Sequence, residues 1–515
     1  MIGFFSKHLV IFISLLCLLF LTMANIFFNN TFFDIFAVSY LVVAISCSCY
    51  YNKLFEKALL LISSFILVIL FTLLNIPQKF FFILDFFTII ITLHKAGYNE
   101  KNILTAIIAI SFLLHLLYIQ LTPINIRQHD ISGIFAYMHK ITSNGLNWNN
   151  FVPWNMYYYF HQPLLFLIQG HIFNIFSSIF TSSIIAKESL QYISLFFTTI
   201  SIYYIILLIK KLDYKNSELY FIITLFAFNP IFILFSGFIS DDVAVLFWGI
   251  TCIYYLISWD KSNSNKDIII TALCFGLGTL TKLSVLLLVP AICYLFLYKL
   301  VKYKNKKIIS QISIFIIIAV PLSLIWIIRN HLLFDMQFFN IPETSPQGQS
   351  FALLSTTDRL TNLSMLFNPF INAPSVSDPN IFLALIKTEL FGEWDFRLST
   401  HLVSFFATPL YILNLLIKIT TFSLCFYYIL NTKNNANHIH YFFIILYITV
   451  WGYGIHYSIT YPYICSSNYR LFSLAMIPEV IILGYTARKK GIGKKLLIPS
   501  IVYATLSICV YYTIL

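Results

Sequence analysis

Arg127, His129 and Asp130 stand together in the stretch TPINIRQHDISGIFAYMHK (122–140), directly after an apolar run. Further along come Asp241 and Asp242 at the end of FNPIFILFSGFISDD, Lys282 in GLGTLTKLS, Glu393 to Arg397 in FGEWDFR, and Arg470 in YPYICSSNYRLF. Acids beside cations suit one kind of reaction. A carboxylate accepts the proton of an attacking hydroxyl, worth roughly 10²–10⁴ in rate. Arg and Lys hold an anionic leaving group and stabilise the charge that develops on it. A phosphate carried on a lipid would reach such cations at a membrane surface without their lying deep.

Each residue also has a plain reading. Ser240 can cap a helix whose first turn holds Asp241 and Asp242. Lys282 can snorkel to an interface, Arg470 can anchor the end of a span, and Asp130 can be an ordinary loop acid, a reading that Arg127 and His129 weaken. The HIH at 438–440 lacks a third ligand, and the nine cysteines are scattered with no ligand-spaced pair, so neither zinc nor disulfides are expected. Asp85, Glu188 and Glu479 lie in or beside apolar runs and call for partners elsewhere in the chain.

The elements that must position these residues are membrane helices. Of the 515 residues 59% are hydrophobic and 10% charged, with a mean hydropathy of +0.84; soluble domains carry roughly 25% charged residues. Runs at 8–28, 57–74, 102–121, 188–209, 309–328 and 402–430 meet or approach the roughly 20 residues that a spanning helix needs. Period-two alternation is absent, which excludes a membrane barrel. The fold class is therefore an all-α polytopic membrane protein, with about 13–15 spans. The run after Lys7 reads as an uncleaved first helix. The net charge of +12 sits mainly in short loops and requires no nucleic-acid partner.

Basic loops at 52–57, 94–101, 210–215, 260–266, 298–307 and 488–495 share one side only if the N-terminus is cytoplasmic too. Segments 122–162 and 329–400 then face outward. This scheme needs 163–186 not to cross the bilayer. Gln169, His171 and Asn174 interrupt that segment, so it reads as an amphipathic helix at the outer interface; the alternative is a span lining a polar cavity. The chain divides into an N-terminal extension of about four spans (1–101), a core (102–328) with its external loop (122–187), a second external loop (329–400) and C-terminal helices (401–515). The acid and cation clusters named first gather on the outer face, while the HIH falls in a cytoplasmic loop.

In that order, on that face, the motifs resemble those of the GT-C superfamily of membrane glycosyltransferases, in the group of protein O-mannosyltransferases and lipid A aminoarabinose transferases (glycosyltransferase family 39-like). QHDISG occupies the place of the family's first external loop with its essential acid. YYYFHQPLLF (157–166) is similar to a His-Pro-Pro-Leu-like stretch that opens the interfacial helix, although His161-Gln162-Pro163-Leu164 is one proline short. NPIFILFSGFISDDVAVL, GLGTLTKLSVLLLVPAI, LIKTELFGEW and SSNYRLF follow in sequence. The likeness covers roughly residues 120–475 and leaves out the first four spans.

The resemblance implies a GT-C-like fold. It also implies inverting transfer of a sugar from a polyprenyl-phosphate donor to a hydroxyl or phosphate of a glycan, lipid or protein, at the outer face of a bacterial cytoplasmic membrane. Asp130 inherits the role of catalytic base. Lys282, Arg397 and Arg470 are candidates for the donor phosphate. Arg127, His129, His161, Asp241, Asp242 and Glu393 would orient sugar or acceptor. No metal or other cofactor is required; the alternative is a divalent cation on Asp130 with Asp241 or Asp242, since oligosaccharyltransferases of the same superfamily use one. The rival readings are a transporter or flippase for a polyprenyl-linked glycan, and a polymerase or ligase using a diphosphate-linked oligosaccharide. Polar groups crowded at one interface, rather than at mid-bilayer, favour the enzyme.

Overall fold

The computed structural model describes residues 35–515, apart from most of 49–78 and the stretches 145–150, 154–156, 180–182, 339–353, 371–377, 395, 397–400 and 432–436. The span expected at 8–28, most of that at 57–74, and Arg397 lie outside the described residues. Within the described residues the chain is helical, with no β-strand. In chain order the helices are α1 (Ile35–Ser48), α2 (Phe80–Ala96), α3 (Glu100–Leu121), α4 (Ile131–Asn144), α5 (Leu164–Ile179), α6 (Ser183–Glu188), α7 (Gln191–Lys211), α8 (Asn216–Ala227), α9 (Pro230–Gly237), α10 (Asp242–Ser262), α11 (Asn265–Thr281), α12 (Val289–Tyr303) and α13 (Lys306–Phe334). They continue with α14 (Thr356–Thr361), α15 (Ile381–Phe391), α16 (His401–Leu430), α17 (His438–Thr460), α18 (Met476–Lys490) and α19 (Gly493–Ile514). Among the described residues nine helices are long and apolar enough to cross a membrane, or ten if α8 and α9 form one broken span. The chain is a multi-pass membrane protein.

Side chains set the breaks. Asn229 ends α8 and caps α9 by accepting the Ile231 N–H at 3.1 Å, and Pro230 fills the first helical position, where its missing N–H costs nothing. The result is a bend of 45°. Asn99, Asn305 and Asn437 cap α3, α13 and α17 in the same way.

α5 has 16 residues, about 24 Å at roughly 1.5 Å per residue, short of the roughly 30 Å hydrocarbon. It turns Leu165, Phe166 and Gln169 inward and leaves Ile168, Ile175 and Ile179 exposed. Its length is in keeping with the interfacial helix expected from the charge pattern.

The helices that follow run back and forth, so that two ends of the bundle differ. One end collects the basic loops and their ion pairs: Lys210–Glu100 at 2.9 Å, Lys261–Asp213 at 2.7 Å and Lys299–Asp260 at 3.6 Å. The HIH lies there too, with His438 on Asp260 (2.9 Å) and His440 stacked on Tyr485 (3.8 Å). The other end collects the loop 122–130, the turn 238–241, Lys282 and the stretches 391–396 and 461–470. This separation generates a topology prediction. A membrane-impermeant thiol reagent on intact cells should label Thr357→Cys and spare Lys494→Cys, both exposed positions; the reverse pattern would turn the protein over.

Candidate active site

The site is assembled where five chain segments end. After α9 the chain passes through Phe238, Ile239, Ser240 and Asp241 before α10 starts at Asp242. Ser240 Oγ accepts the Asp242 N–H at 3.3 Å and donates to its carboxylate at 3.2 Å. The cap position of α10 is Asp241, whose side chain makes no capping bond, and Ser240 just before it supports the first N–H instead, which leaves the acids open to a second role. Lys282 ends α11 with extended backbone (φ −158°, ψ 136°). Its Nζ lies 2.8 Å from Asp241 Oδ1 and 2.5 Å from Asp242 Oδ1. It points inward between two carboxylates and does not snorkel. Arg470 is also more than a span-end anchor: its Nη1 lies 3.3 Å from Asp242 Oδ2 and its Nη2 3.7 Å from Asp130 Oδ2.

Two neutral amides hold this arrangement together. Gln128 donates to the Gly237 carbonyl at 2.7 Å and accepts the Ile239 N–H at 3.1 Å, which fastens the Asp130 loop to the turn that carries Asp241 and Asp242. Asn468 accepts the Arg470 N–H at 3.0 Å and donates to Glu393 Oε1 at 2.7 Å. Neither amide was singled out by sequence reasoning. The only signal was that each lies two residues from a charge that was. Arg127 and Asp130 adopt left-handed backbone (φ 56° and 50°), uncommon away from glycine, so the clamp holds a tight loop in place. Arg127 itself lies over the ring of Phe396, 4.8 Å from its centre. Of the four carboxylates here Asp130 is the open one, with its side chain 54% exposed against 27% for Glu393, 7% for Asp241 and 1% for Asp242.

Burial governs the titration of the rest. Burial, with Arg470 adding to it, pushes His129 down to about 4, against the pull of Glu393, Asp242 and Asp130. Its ring is wedged between Phe238 (5.2 Å) and Trp394 (5.0 Å), with Nδ1 3.4 Å from Glu393 Oε2. His129 is therefore neutral at pH 7. Burial, followed by Lys282, takes His161 down to about 3, and its carbonyl accepts the Tyr137 hydroxyl at 2.9 Å. Burial would raise Glu393, but His129, Arg470 and Asn468 outweigh it and hold it low. With the imidazole neutral, Arg470 and Asn468 carry that effect at pH 7. Burial and then the neighbouring Asp242 raise Asp241 against the pull of Lys282. For Lys282 burial is outweighed by the two acids, which hold its ammonium above the usual lysine value. Among the described residues no group of three or more His, Cys, Asp or Glu is placed to hold a metal ion.

The structure thus brings together Asp130, His129, Asp241, Asp242, Lys282, Glu393 and Arg470. His161 is close enough to feel their charges, and Arg127 borders the group.

Residues 161–326 match the dolichyl-phosphate-mannose-protein mannosyltransferase family. The resemblance to the GT-C glycosyltransferases is borne out. The matched stretch runs from His161 through α5, Asp241, Asp242 and Lys282 to Trp326, and supports a lipid-linked glycosyltransferase in general. No curated protein matches the chain. Two crystal structures of ArnT from Cupriavidus metallidurans resemble it remotely. The one bound to undecaprenyl phosphate has 11% identity and a TM-score of 0.36, over 81% of this chain and 78% of that one. The apo one has 12% identity and a TM-score of 0.34, over 80% and 77%. A likeness that distant carries no argument about the site.

The buried imidazole has a measurable consequence. Unfolded, His129 titrates near 6.5, and folded near 4. Between these values the unfolded chain binds more protons, so stability falls as the pH is lowered through that window. His129→Gln should remove as much as about 3 kcal/mol of that loss, read as a flatter pH dependence of the melting temperature in detergent. His161 contributes with the same sign and remains in the variant. An unchanged slope would mean that the imidazole is not buried in the folded protein.

Proposed function

We propose that this chain is an inverting glycosyltransferase that moves a sugar from a polyprenyl-phosphate donor to an acceptor hydroxyl or phosphate at the outer face of a bacterial cytoplasmic membrane. The observation that carries the reading is Arg470 lying between the exposed Asp130 and the buried Asp242. The donor named in the matched family, dolichyl-phosphate-mannose, belongs to the same chemical class. The outer face is supported by the basic residues at the opposite end of the bundle.

In the proposed reaction Asp130 takes the proton of the acceptor hydroxyl. The acceptor oxygen attacks the anomeric carbon from the side opposite the lipid phosphate. The bond from that carbon to the phosphate oxygen breaks, and the phosphate leaves with the electron pair. The two cations are not equivalent here. Lys282 is held at 2.5 and 2.8 Å by two acids, and its role is to keep Asp241 and Asp242 in place. Arg470, with longer contacts of 3.3 and 3.7 Å and a planar fork suited to phosphate, is the group that receives the leaving anion. Asp242 positions Arg470, and His129 with Glu393 positions the loop beside Asp130. The donor sugar and the acceptor are left to experiment.

The ionisable groups Lys418, Glu389 and Glu479 inside the bundle favour the rival, a lipid-linked glycan transporter, so the test has to separate the two. Envelope glycans would be compared by mass spectrometry in wild type, a deletion strain and Asp130→Asn at matched membrane abundance. The expected outcome is that Asp130→Asn loses the same substituent as the deletion, with purified activity down roughly 10²–10⁴-fold and the melting temperature unchanged. If Asp130→Asn matches wild type while the deletion does not, Asp130 is not the base and transport becomes the better reading.

A further inference from the structure

Below the candidate site, inside the bundle, two carboxylates share one ammonium. Lys418 Nζ of α16 lies 2.7 Å from Glu389 Oε2 of α15, 2.8 Å from Glu389 Oε1, and 2.8 Å from both oxygens of Glu479 on α18. All three side chains are buried. The other ionisable groups that face the cluster are hydroxyls and a thiol: Tyr447 on α17, Tyr469 just before α18, Tyr503 on α19 and Cys425 on α16. Among the described residues no second cation bears on it. With both acids ionised the cluster would carry a net negative charge, away from water in the membrane interior. An uncompensated buried charge of that kind is avoided by taking up a proton.

The hydrogen bonds indicate which acid takes it. Glu389 accepts from Asn229 Nδ2 at 2.8 Å and Asn414 Nδ2 at 2.9 Å as well as from Lys418. Asn229 is fixed as a donor because its Oδ1 already accepts the Ile231 N–H, so with Lys418 and Asn229 both donating this carboxyl is favoured in its ionised form. Beyond Lys418, Glu479 has among the described residues the Tyr447 hydroxyl alone, 3.4 Å from its Oε2. A hydroxyl can accept as readily as it donates. An independent sign of a polar pocket is that Asn414 Oδ1 and the hydroxyls of Tyr469 and Tyr503 are buried there without a hydrogen-bond partner.

We infer that Glu389, Lys418 and Glu479 form a proton-binding site in the membrane interior, with a single proton held on Glu479 and donated to Tyr447. This site joins the elements that carry the candidate active site. Asn229 caps α9, which leads to the turn bearing Asp241 and Asp242. Glu389 is four residues from Glu393 on the same segment. Thr388 Oγ1 accepts the Tyr469 N–H at 2.9 Å, directly before Arg470. Loss of the proton would place two charged carboxylates on one ammonium at the meeting point of α9, α15, α16 and α18. It would therefore loosen the fold as the pH rises.

The test uses the full chain in lipid nanodiscs, with readouts that do not depend on which sugar, if any, is transferred. Infrared titration of the wild type should show the carbonyl stretch of a protonated carboxylic acid near neutral pH that disappears on the alkaline side, and Glu479→Gln should lack that band while Asp241→Asn keeps it. Melting temperature should fall at alkaline pH in the wild type and stay flat in Glu479→Gln, which copies the neutral acid. Glu389→Gln, which turns an amide N–H toward the donors, should be destabilised at every pH. Absence of the band in the wild type overturns the inference whether or not any variant folds, and so does an alkaline loss of stability in Glu479→Gln equal to that of the wild type.

Discussion

A charge inside a bundle surrounded by hydrocarbon has to find its counter-charge within the protein, and for Asp242 the partners come from far along the chain. Its carboxylate meets Lys282 at a sequence distance of 40 and Arg470 at a distance of 228. The first is short at 2.5 Å, the second longer at 3.3 Å, and both are almost dry. Breaking a pair of this kind leaves an uncompensated buried charge, typically a loss of about 3–5 kcal/mol. Asp242 therefore fixes where the break at Lys282 and the short helix at Arg470 lie relative to the start of α10. Asp241, Glu393 and Asp130 are placed through these same cations and through Asn468. The site is a consequence of charge pairing across four segments, and the helices supply the frame that makes the pairing possible.

Much of this was legible in the sequence for a physical reason. In a chain with 10% charged residues, an acid or a cation beside an apolar run stands out, because each must be compensated somewhere. Asp130, Asp241, Asp242, Lys282, Glu393 and Arg470 were all visible on that ground, and the structure brings them together. The interfacial helix was legible because Gln169, His171 and Asn174 would have been costly inside a span. What the sequence concealed was of two kinds. Gln128 and Asn468 look like ordinary loop amides, since a hydrogen bond to a distant backbone group leaves no trace in composition. The pairing of Glu479 with Lys418 was equally hidden. Glu479 announced that it needed a partner, but nothing in its neighbourhood pointed 61 residues back. Arg127, expected to orient sugar or acceptor, lies over the face of Phe396 and beside Tyr118, contacts that no pattern in the sequence indicated.

The loop from Thr122 to Asp130 shows how neutral groups prepare a site for charged ones. Gln191 donates to the carbonyls of Thr122 and Gly237, at 3.3 and 2.9 Å, so the start of the loop and the end of α9 share one side chain. Gln128 then adds its two bonds to the same turn. Gly237 can have no side chain here, because a Cβ would come within 2.7 Å of the Tyr118 ring. These bonds are insensitive to pH and to the arrival of an anion, unlike the contacts of Arg470. The loop is thus held by groups whose strength does not change when a charge arrives, and among the described residues the carboxylate of Asp130 pairs with one cation, Arg470.

That single sharing gives the proposed mechanism its order. Among the described residues the four carboxylates outnumber Lys282, Arg470 and the bordering Arg127, with both histidines neutral, so an anionic donor needs a cation that can turn toward it. Lys282 is held too closely by two acids to do so. Arg470 has the longer contacts, and a phosphate that draws its guanidinium away from Asp130 leaves that carboxylate without its counter-charge beside the acceptor. The carboxylate is then free to take the acceptor's proton once the donor is in place. Before that, Arg470 keeps it occupied. In the proposed mechanism a hydroxyl that arrives first, water included, finds a carboxylate already engaged by Arg470, and a lipid-linked donor is guarded from hydrolysis by that order of events.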